Sequence, residues 1–176
     1  MAQLLRARVA DYDPRTKILR LWDGKGKRQN PREHLVPLAP VGAAAIEELI
    51  VRARQLEQSW AEREKREPRD GTLWIFSSFG TKPMTDTTPG KYVAKVCQEM
   101  GSQPFDLRDI RRTVETVLAS LKVGKDIRAQ LLSHGLSGVQ DAHYDRFEYI
   151  DEKRAALIAW ERYLKKLTAI RAATQR

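Results

Sequence analysis

Three side chains within residues 106–150 are of the types that could act together on a phosphodiester. Arg111 lies near the start of a predicted helix, His134 follows Leu-Leu-Ser at the end of another, and Tyr144 comes ten residues after the histidine. A tyrosine hydroxyl is a weak nucleophile, with an ordinary pKa of about 10, so it needs a nearby base. An arginine donates two hydrogen bonds to one phosphate without losing its charge, which stabilises the transition state. The three residue types therefore indicate nucleophilic attack on a phosphodiester, with a lysine able to protonate the departing oxygen.

Each of these residues has a commoner explanation when it is considered alone. A tyrosine such as Tyr144 is usually a half-buried aromatic, and a histidine such as His134 often ends a helix. Arg111 could be a surface ion-pair residue, and Lys25 could simply occupy a glycine-rich turn. The joint order and spacing of arginine, histidine and tyrosine favours a site over coincidence.

The charge of the chain indicates a polyanionic partner. The 176 residues include 32 Lys and Arg and 23 Asp and Glu, for a net charge of +9 and a pI of about 9.8. Residues 1–36 hold nine basic and four acidic side chains, and residues 151–176 hold seven and three, so the surplus lies at the two ends. An excess of this kind favours nucleic acid.

Composition excludes several other classes of protein. The chain has one cysteine, Cys97, so it has no internal disulfide framework and no Cys-rich zinc site. No carboxylate accompanies His134 and His143 at a ligand-like spacing, so the sequence predicts no metal site. Mean hydropathy is −0.55, and neither a membrane-spanning run nor an apolar signal core is present. We therefore expect a cytoplasmic protein of one domain.

A small sheet and several helices must position these residues. Alternating or apolar-rich segments predict strands over 9–13, 17–22, 34–38 and 73–76. Helical periodicity predicts helices over 41–66, 88–100, 106–121, 125–133 and 151–169. Thr87 or Thr88 is expected to cap the second of these, and Gly101 to end it. The predicted fold class is α+β, mainly helical, with a small antiparallel sheet whose basic hairpin packs against several helices.

The hairpin carries its own signal. Residues 15–32 hold seven basic side chains and one acidic side chain, and residues 23–27 read Asp-Gly-Lys-Gly-Lys. One interpretation is that the hairpin merely keeps the protein soluble and prevents its edge strand from pairing with another strand. Its charge favours a contact with DNA.

At this point the chain resembles a known family. Arg111-Arg112-Thr113, then Leu131-Leu132-Ser133-His134, then Tyr144 resemble the catalytic domain of tyrosine recombinases. These are the phage-integrase family, and the likeness is greatest to integrases of prophages and genomic islands. The turn that bears Lys25 looks like the strand pair whose turn presents the catalytic lysine. The resemblance is specific over 106–160 and covers nearly the whole chain.

The resemblance implies a mechanism of site-specific DNA recombination and integration. Tyr144 would attack the scissile phosphate and form a 3′-phosphotyrosine link. Arg111, aided by Arg108, would hold the phosphate oxygens, and His134 would support deprotonation of the tyrosine. Lys25 would protonate the departing 5′-oxygen. The covalent link conserves the bond energy, so no metal and no other cofactor is implied.

The resemblance also implies the partners. Double-stranded DNA with attachment-type sites would contact Lys27, Arg28, Arg112 and His143. The protein would be a homotetramer on DNA and could be a monomer in isolation. Bacterial or phage origin is implied in the same way.

Two departures from the family pattern leave an alternative open. The family's first histidine aligns with Arg108, and arginine cannot act as a base near neutral pH. The family's other catalytic arginine would fall immediately before Met1, with Gln3 in a position that the family fills with glutamate. We therefore expect residues 1–176 to be a single catalytic domain, a fragment without the N-terminal DNA-binding domain and the first catalytic arginine. The parent protein would be the recombinase, and this chain alone would be impaired. The alternatives are a catalytically inactive DNA-binding remnant and a generic basic α+β protein.

Overall fold

The computed structural model describes residues 2–24, 31–133 and 148–174, with side chains described from residue 3 to residue 170. Helix α1 (Ala2–Leu5) and a 3-10 turn (Val9–Asp11) precede strands β1 (Tyr12–Asp13), β2 (Ile18–Asp23) and β3 (Arg32–Pro37). The helices that follow are α2 (Pro40–Glu64), α3 (Thr88–Met100), α4 (Leu107–Ser120), α5 (Lys125–Leu131) and α6 (Ile150–Thr174). No helix in these ranges is long and apolar enough to cross a membrane.

The three strands form one antiparallel sheet in the order β1-β2-β3. Along β2 the buried positions are Leu19, Leu21 and Asp23, which alternate with exposed ones. This period of two is the pattern of a strand with one face on the core. Asp23 pairs with Arg32 at the end of the two strands where the chain connects β2 to β3. The same alternation turns the Asp23 side chain toward the protein interior.

The core lies between the sheet, α2 and the segment around residue 74. Its buried apolar side chains include Leu19, Ile46, Ile50, Leu73 and Ile75. Burying each of them contributes about 1.5–3 kcal/mol. Helix α2 packs through positions at helical spacing, so the predicted helix over 41–66 is confirmed.

Two strand predictions were wrong in extent. Over 9–13 only Tyr12–Asp13 is a strand, because Val9–Asp11 forms a 3-10 turn. Over 73–76 the described backbone forms an isolated antiparallel β-bridge, between Trp74 and Arg8, rather than a strand. The amide of Trp74 donates to Gly80 O (2.8 Å), so the ladder ends there, although Leu73 and Ile75 are buried as an apolar run predicts.

The helix boundaries follow local signals, with one exception. Gly101 ends α3 with a positive φ of 59°, a conformation that glycine adopts without steric cost. Thr87 precedes the first residue of α3 but makes no capping hydrogen bond through its side chain. The Thr88 hydroxyl instead contacts the Thr85 hydroxyl (2.8 Å).

The apolar stripe that the sequence predicts on α6 is partly buried and partly exposed. Its first part packs against β3, α4 and α5, where Leu157 and Ile158 are partly buried. Leu164 and Leu167 are 40% and 45% exposed. The stripe therefore continues along a surface that the described part of the chain leaves uncovered.

Candidate functional site

The start of α4 is fixed by a reciprocal cap. The Asp106 carboxylate accepts hydrogen bonds from the amides of Arg108 (2.7 Å) and Asp109 (3.0 Å). The Asp109 carboxylate accepts from the Asp106 amide (2.9 Å). This is a capping box, in which side chains satisfy backbone donors that a helix start leaves unpaired. The amide donors, that of Asp109 first, hold the pKa of Asp106 below its usual value, so the cap stays ionised at neutral pH.

Because the cap fixes where α4 begins, it also fixes which face of the helix carries three arginines. Residues 108, 111 and 112 are three and four positions apart, so a helix places them on one face. Their side chains line a cleft of about 380 Å³. The other lining residues are Glu115, Thr116 and Leu132. The structure therefore brings together three of the residues that the sequence singles out, namely Arg108, Arg111 and Arg112.

Arg111 is the most enclosed of the three. It is half-buried, and its Nη2 donates to the backbone carbonyl oxygen of Leu132 at the end of α5. Burial lowers the pKa of Arg111, and the nearby Glu115 carboxylate opposes the shift. A guanidinium starts from a pKa above 12 and keeps its charge. A partly desolvated charge of this kind interacts with an anion more strongly than a charge in water.

Arg108 and Arg112 lie at the exposed side of the cleft. Their side chains are 83% and 77% exposed and pair with Asp106 (3.1 Å) and Asp109 (3.2 Å). Exposed pairs contribute about 0–1 kcal/mol, so an incoming phosphate can replace either carboxylate. The only acidic residue that lines the cleft in the described chain, Glu115, is bound by Arg128 (2.8 Å). The cleft thus presents net positive charge.

A buried polar contact joins the sheet to the end of α5. The Ser133 hydroxyl donates to Asp23 Oδ2 (2.6 Å), and Arg32 Nη2 donates to Ser133 Oγ (2.9 Å). Asp23 is 5% exposed. Sequence reasoning missed this contact because Asp23 and Ser133 are 110 positions apart. The alternation along β2 is the one signal that places Asp23 on the buried face.

The start of α6 is tied to the same sheet. Lys153, which is 2% exposed, donates from Nζ to the Leu35 carbonyl (2.8 Å). Arg154 donates to the carbonyls of Leu38 (3.2 Å) and Thr16 (2.8 Å). Burial lowers the pKa of Lys153. The chain on both sides of residues 134–147 is therefore fastened to the β2–β3 hairpin, at Ser133 and at Lys153.

His34 on β3 is a buried histidine that sequence reasoning did not single out. It is 7% exposed and lies beside the Gln130 backbone, and among the described residues neither ring nitrogen makes a well-formed hydrogen bond. Burial first, then the charges of Lys153 and Arg32, lower the pKa of His34 to about 4, which the Gln130 backbone and Asp23 only partly oppose. His34 is therefore neutral at pH 7 and adds no charge beside the Asp23 contact.

The remaining predicted site residues lie outside the described residues. They are Lys25, Lys27, Arg28, His134, His143 and Tyr144. Their roles stay predictions. Within the ranges that are described, no cluster of His, Cys, Asp and Glu could hold a metal ion.

Comparison with known proteins finds a solved structure with a similar fold. The chain matches no protein-family profile and no curated protein sequence. Its structure is similar to the crystal structure of XerA recombinase, with a TM-score of 0.51 and 19% sequence identity. The match covers 94% of this chain and 52% of that one, so the chain spans about half the length of its structural relative. The likeness confirms the predicted fold class, a mainly helical domain with a small antiparallel sheet, in agreement with a recombinase catalytic-domain fold.

Proposed function

We propose that residues 1–176 form the catalytic domain of a tyrosine recombinase, which cuts and rejoins DNA at specific sites. The observation that carries the proposal is the cleft that Arg108, Arg111 and Arg112 line beside the end of α5. Leu132, which holds Arg111, lies two positions before His134. The shared fold with XerA recombinase supports the same assignment.

The proposed reaction exchanges one phosphate ester for another. The Tyr144 oxygen forms a bond to the scissile phosphorus, and the bond from phosphorus to the 5′-oxygen breaks. His134 accepts the tyrosine proton or binds the phosphate, and Lys25 donates a proton to the departing 5′-oxygen. The phosphotyrosine ester retains the energy of the broken bond, so rejoining needs no nucleotide cofactor, and no metal is assigned.

The described arginines account for recognition of the phosphate. Arg111 combines a fixed position with partial burial, which suits a donor aimed at charge that develops in the transition state. Arg108 and Arg112 are exposed and, within the part of the chain that is described, pair with the capping aspartates, which suits contact with the DNA backbone. We place Lys27, Arg28 and His143 at further DNA contacts. Double-stranded DNA with attachment-type sites is the proposed substrate, bound by a homotetramer.

Arg108 favours a second candidate function. It occupies the position that the resembling family fills with histidine, and an arginine can bind phosphate but cannot move a proton near neutral pH. A catalytically inactive DNA-binding module would keep the positive cleft and lose the cutting step. The two functions differ in one product, a covalent protein–DNA adduct.

A nicked duplex tests the proposal. A nick near the cleavage point lets the short product strand diffuse away, so the covalent adduct accumulates and is visible on a denaturing gel. We expect an adduct from the parent protein, which contains residues 1–176 and the missing arginine, and none from its Tyr144→Phe variant. Tyr92→Phe is the matched control, because Tyr92 is 59% exposed on α3 and has no proposed role. DNA binding without any adduct would support the inactive module, and an adduct from Tyr144→Phe would refute the assigned nucleophile.

A further inference from the structure

Asp23 is a buried carboxylate to which the proposed reaction assigns no role. It ends β2 with 5% exposure, and an aspartate is rarely placed there unless hydrogen bonds and opposite charge compensate for its desolvation. The Ser133 hydroxyl donates to it, and Arg32, its cross-strand partner, donates to the same hydroxyl. The position of Asp23 in the chain makes the contact important, since it precedes Lys25 by two residues.

Ser133 is held in an uncommon conformation. Its φ is 50°, in the left-handed region that costs a residue with a Cβ free energy. The residue before it, Leu132, accepts the hydrogen bond of Arg111 through its backbone carbonyl. Two consecutive residues therefore face two different parts of the site. Leu132 meets the phosphate-binding arginine, and Ser133 meets the strand that leads to Lys25.

We infer that Asp23, Ser133 and Arg32 are positioning residues. Through the consecutive residues Leu132 and Ser133 they fix the end of β2, two positions before Lys25 in the chain, relative to the Arg111 cleft. The inference rests on the proposed function, since it concerns the distance between the general acid and the bound phosphate. A proton donor must stand within hydrogen-bond reach of the departing oxygen. Displacement of a catalytic group by about 1 Å is enough to slow a reaction about 100-fold.

The chemistry of the leaving group separates positioning from general stability. In ordinary DNA the departing 5′-oxygen needs a proton from Lys25. When sulfur replaces that bridging oxygen, the thiolate can depart without a proton, because a thiol with a pKa of about 8.5 is a much stronger acid than an alcohol and its anion is a much better leaving group. A variant that only misplaces Lys25 is therefore slow on the oxygen substrate and recovers on the sulfur substrate.

The cleavage test uses two substitutions and one control in the full chain. Asp23→Asn weakens the acceptor of the Ser133 bond. Ser133→Gly removes the hydroxyl but tolerates the positive φ, so the backbone is not strained further. Glu33→Gln is the control, since Glu33 lies on the exposed side of the same hairpin and pairs with Arg20 (2.7 Å). We expect Asp23→Asn and Ser133→Gly to cleave the oxygen substrate about 100-fold more slowly and the sulfur substrate within about threefold of the unsubstituted rate. Equal slowing on both substrates, or no slowing, would overturn the inference.

A spectroscopic test does not depend on cleavage. In protein labelled with ¹⁵N-arginine, Arg111→Lys identifies the Arg111 Nε–H resonance. We expect Asp23→Asn to shift that resonance by more than its linewidth and to leave that of Arg54, which pairs with Asp70 far along α2, unchanged. An unmoved Arg111 resonance would show that Leu132 and Ser133 do not couple Asp23 to Arg111, and it would overturn the inference. Failure of the unsubstituted protein to form an adduct is a different result, since it refutes the proposed function. The Arg111 resonance would still show whether Asp23 and Arg111 are coupled.

Discussion

Replacement of Arg111 by lysine separates binding of DNA from the cutting step. The guanidinium holds the Leu132 carbonyl with Nη2 and lines the cleft with the rest of its fork. A lysine keeps the charge, but its donors are on a single atom, so it cannot contact both the carbonyl and a phosphate with the geometry of the fork. Loss of one donor to transition-state charge costs about 2.7–4 kcal/mol, or about 100- to 1,000-fold in rate. Binding, which depends mainly on charge, should weaken less than about threefold.

Single-turnover cleavage of the nicked duplex measures the rate, and a filter or anisotropy titration measures affinity at the same salt concentration. Loss of the donor to the Leu132 carbonyl should also cost about 1 kcal/mol of unfolding free energy. For a chain of this size that corresponds to a fall of about 2–4 °C in melting temperature, which leaves the protein folded at assay temperature. Cleavage by Arg111→Lys within about fivefold of the unsubstituted rate would refute the assignment of Arg111 to the scissile phosphate.

Three further predictions concern stability, assembly and binding. The folded-state pKa of His34 is about 4 against about 6.5 when unfolded, so the unfolded chain binds the extra proton between these values and stability falls as pH drops through this window. Urea unfolding should show a loss of about 2 kcal/mol between pH 7.5 and pH 5, reduced in His34→Gln; an equal loss in that variant would exclude His34 as the source. The exposed apolar stripe of α6, where Leu167 is 45% exposed, is the surface that we expect a neighbouring protomer to cover in the proposed tetramer. Leu167→Glu should therefore reduce the mass of the complex on DNA in light scattering while it changes the unfolding free energy by less than about 0.5 kcal/mol, and an unchanged mass would show that this surface does not mediate assembly. Lys27→Ala should weaken DNA binding for all sequences and reduce the slope of log affinity against log salt by about 1, whereas an unchanged slope would mean that Lys27 makes no phosphate contact.

Local signals predicted much of the fold. The acidic residues at 106 and 109 and the arginines three and four positions apart predict both where α4 begins and which side chains share its face, because these effects act within one helical turn. Gly101 ends α3 for a similar reason. The three arginines of the cleft could therefore be grouped from the sequence.

Contacts between distant segments could not be predicted in the same way. The apolar run at 73–76 is buried as expected, but strand pairing depends on the backbone opposite, which turns into a 3-10 helix at Val9. The stripe on α6 predicts an apolar face without saying which surface covers it. Pairing of Asp23 with Ser133 requires the sheet and the end of α5 to pack against each other. The periodicity of a single sequence predicts local structure but does not indicate which distant segments come into contact.

The most direct test of the central claim is the chemical identity of the covalent link. The adduct formed on a nicked duplex can be digested with protease and nuclease, and the joined peptide and nucleotide can be sequenced by mass spectrometry. The account predicts one linkage, from the Tyr144 oxygen to a 3′-phosphate, with a free 5′-hydroxyl on the released strand. A link through another residue, a link to a 5′-phosphate, or binding with no covalent product under any nicked design would contradict it.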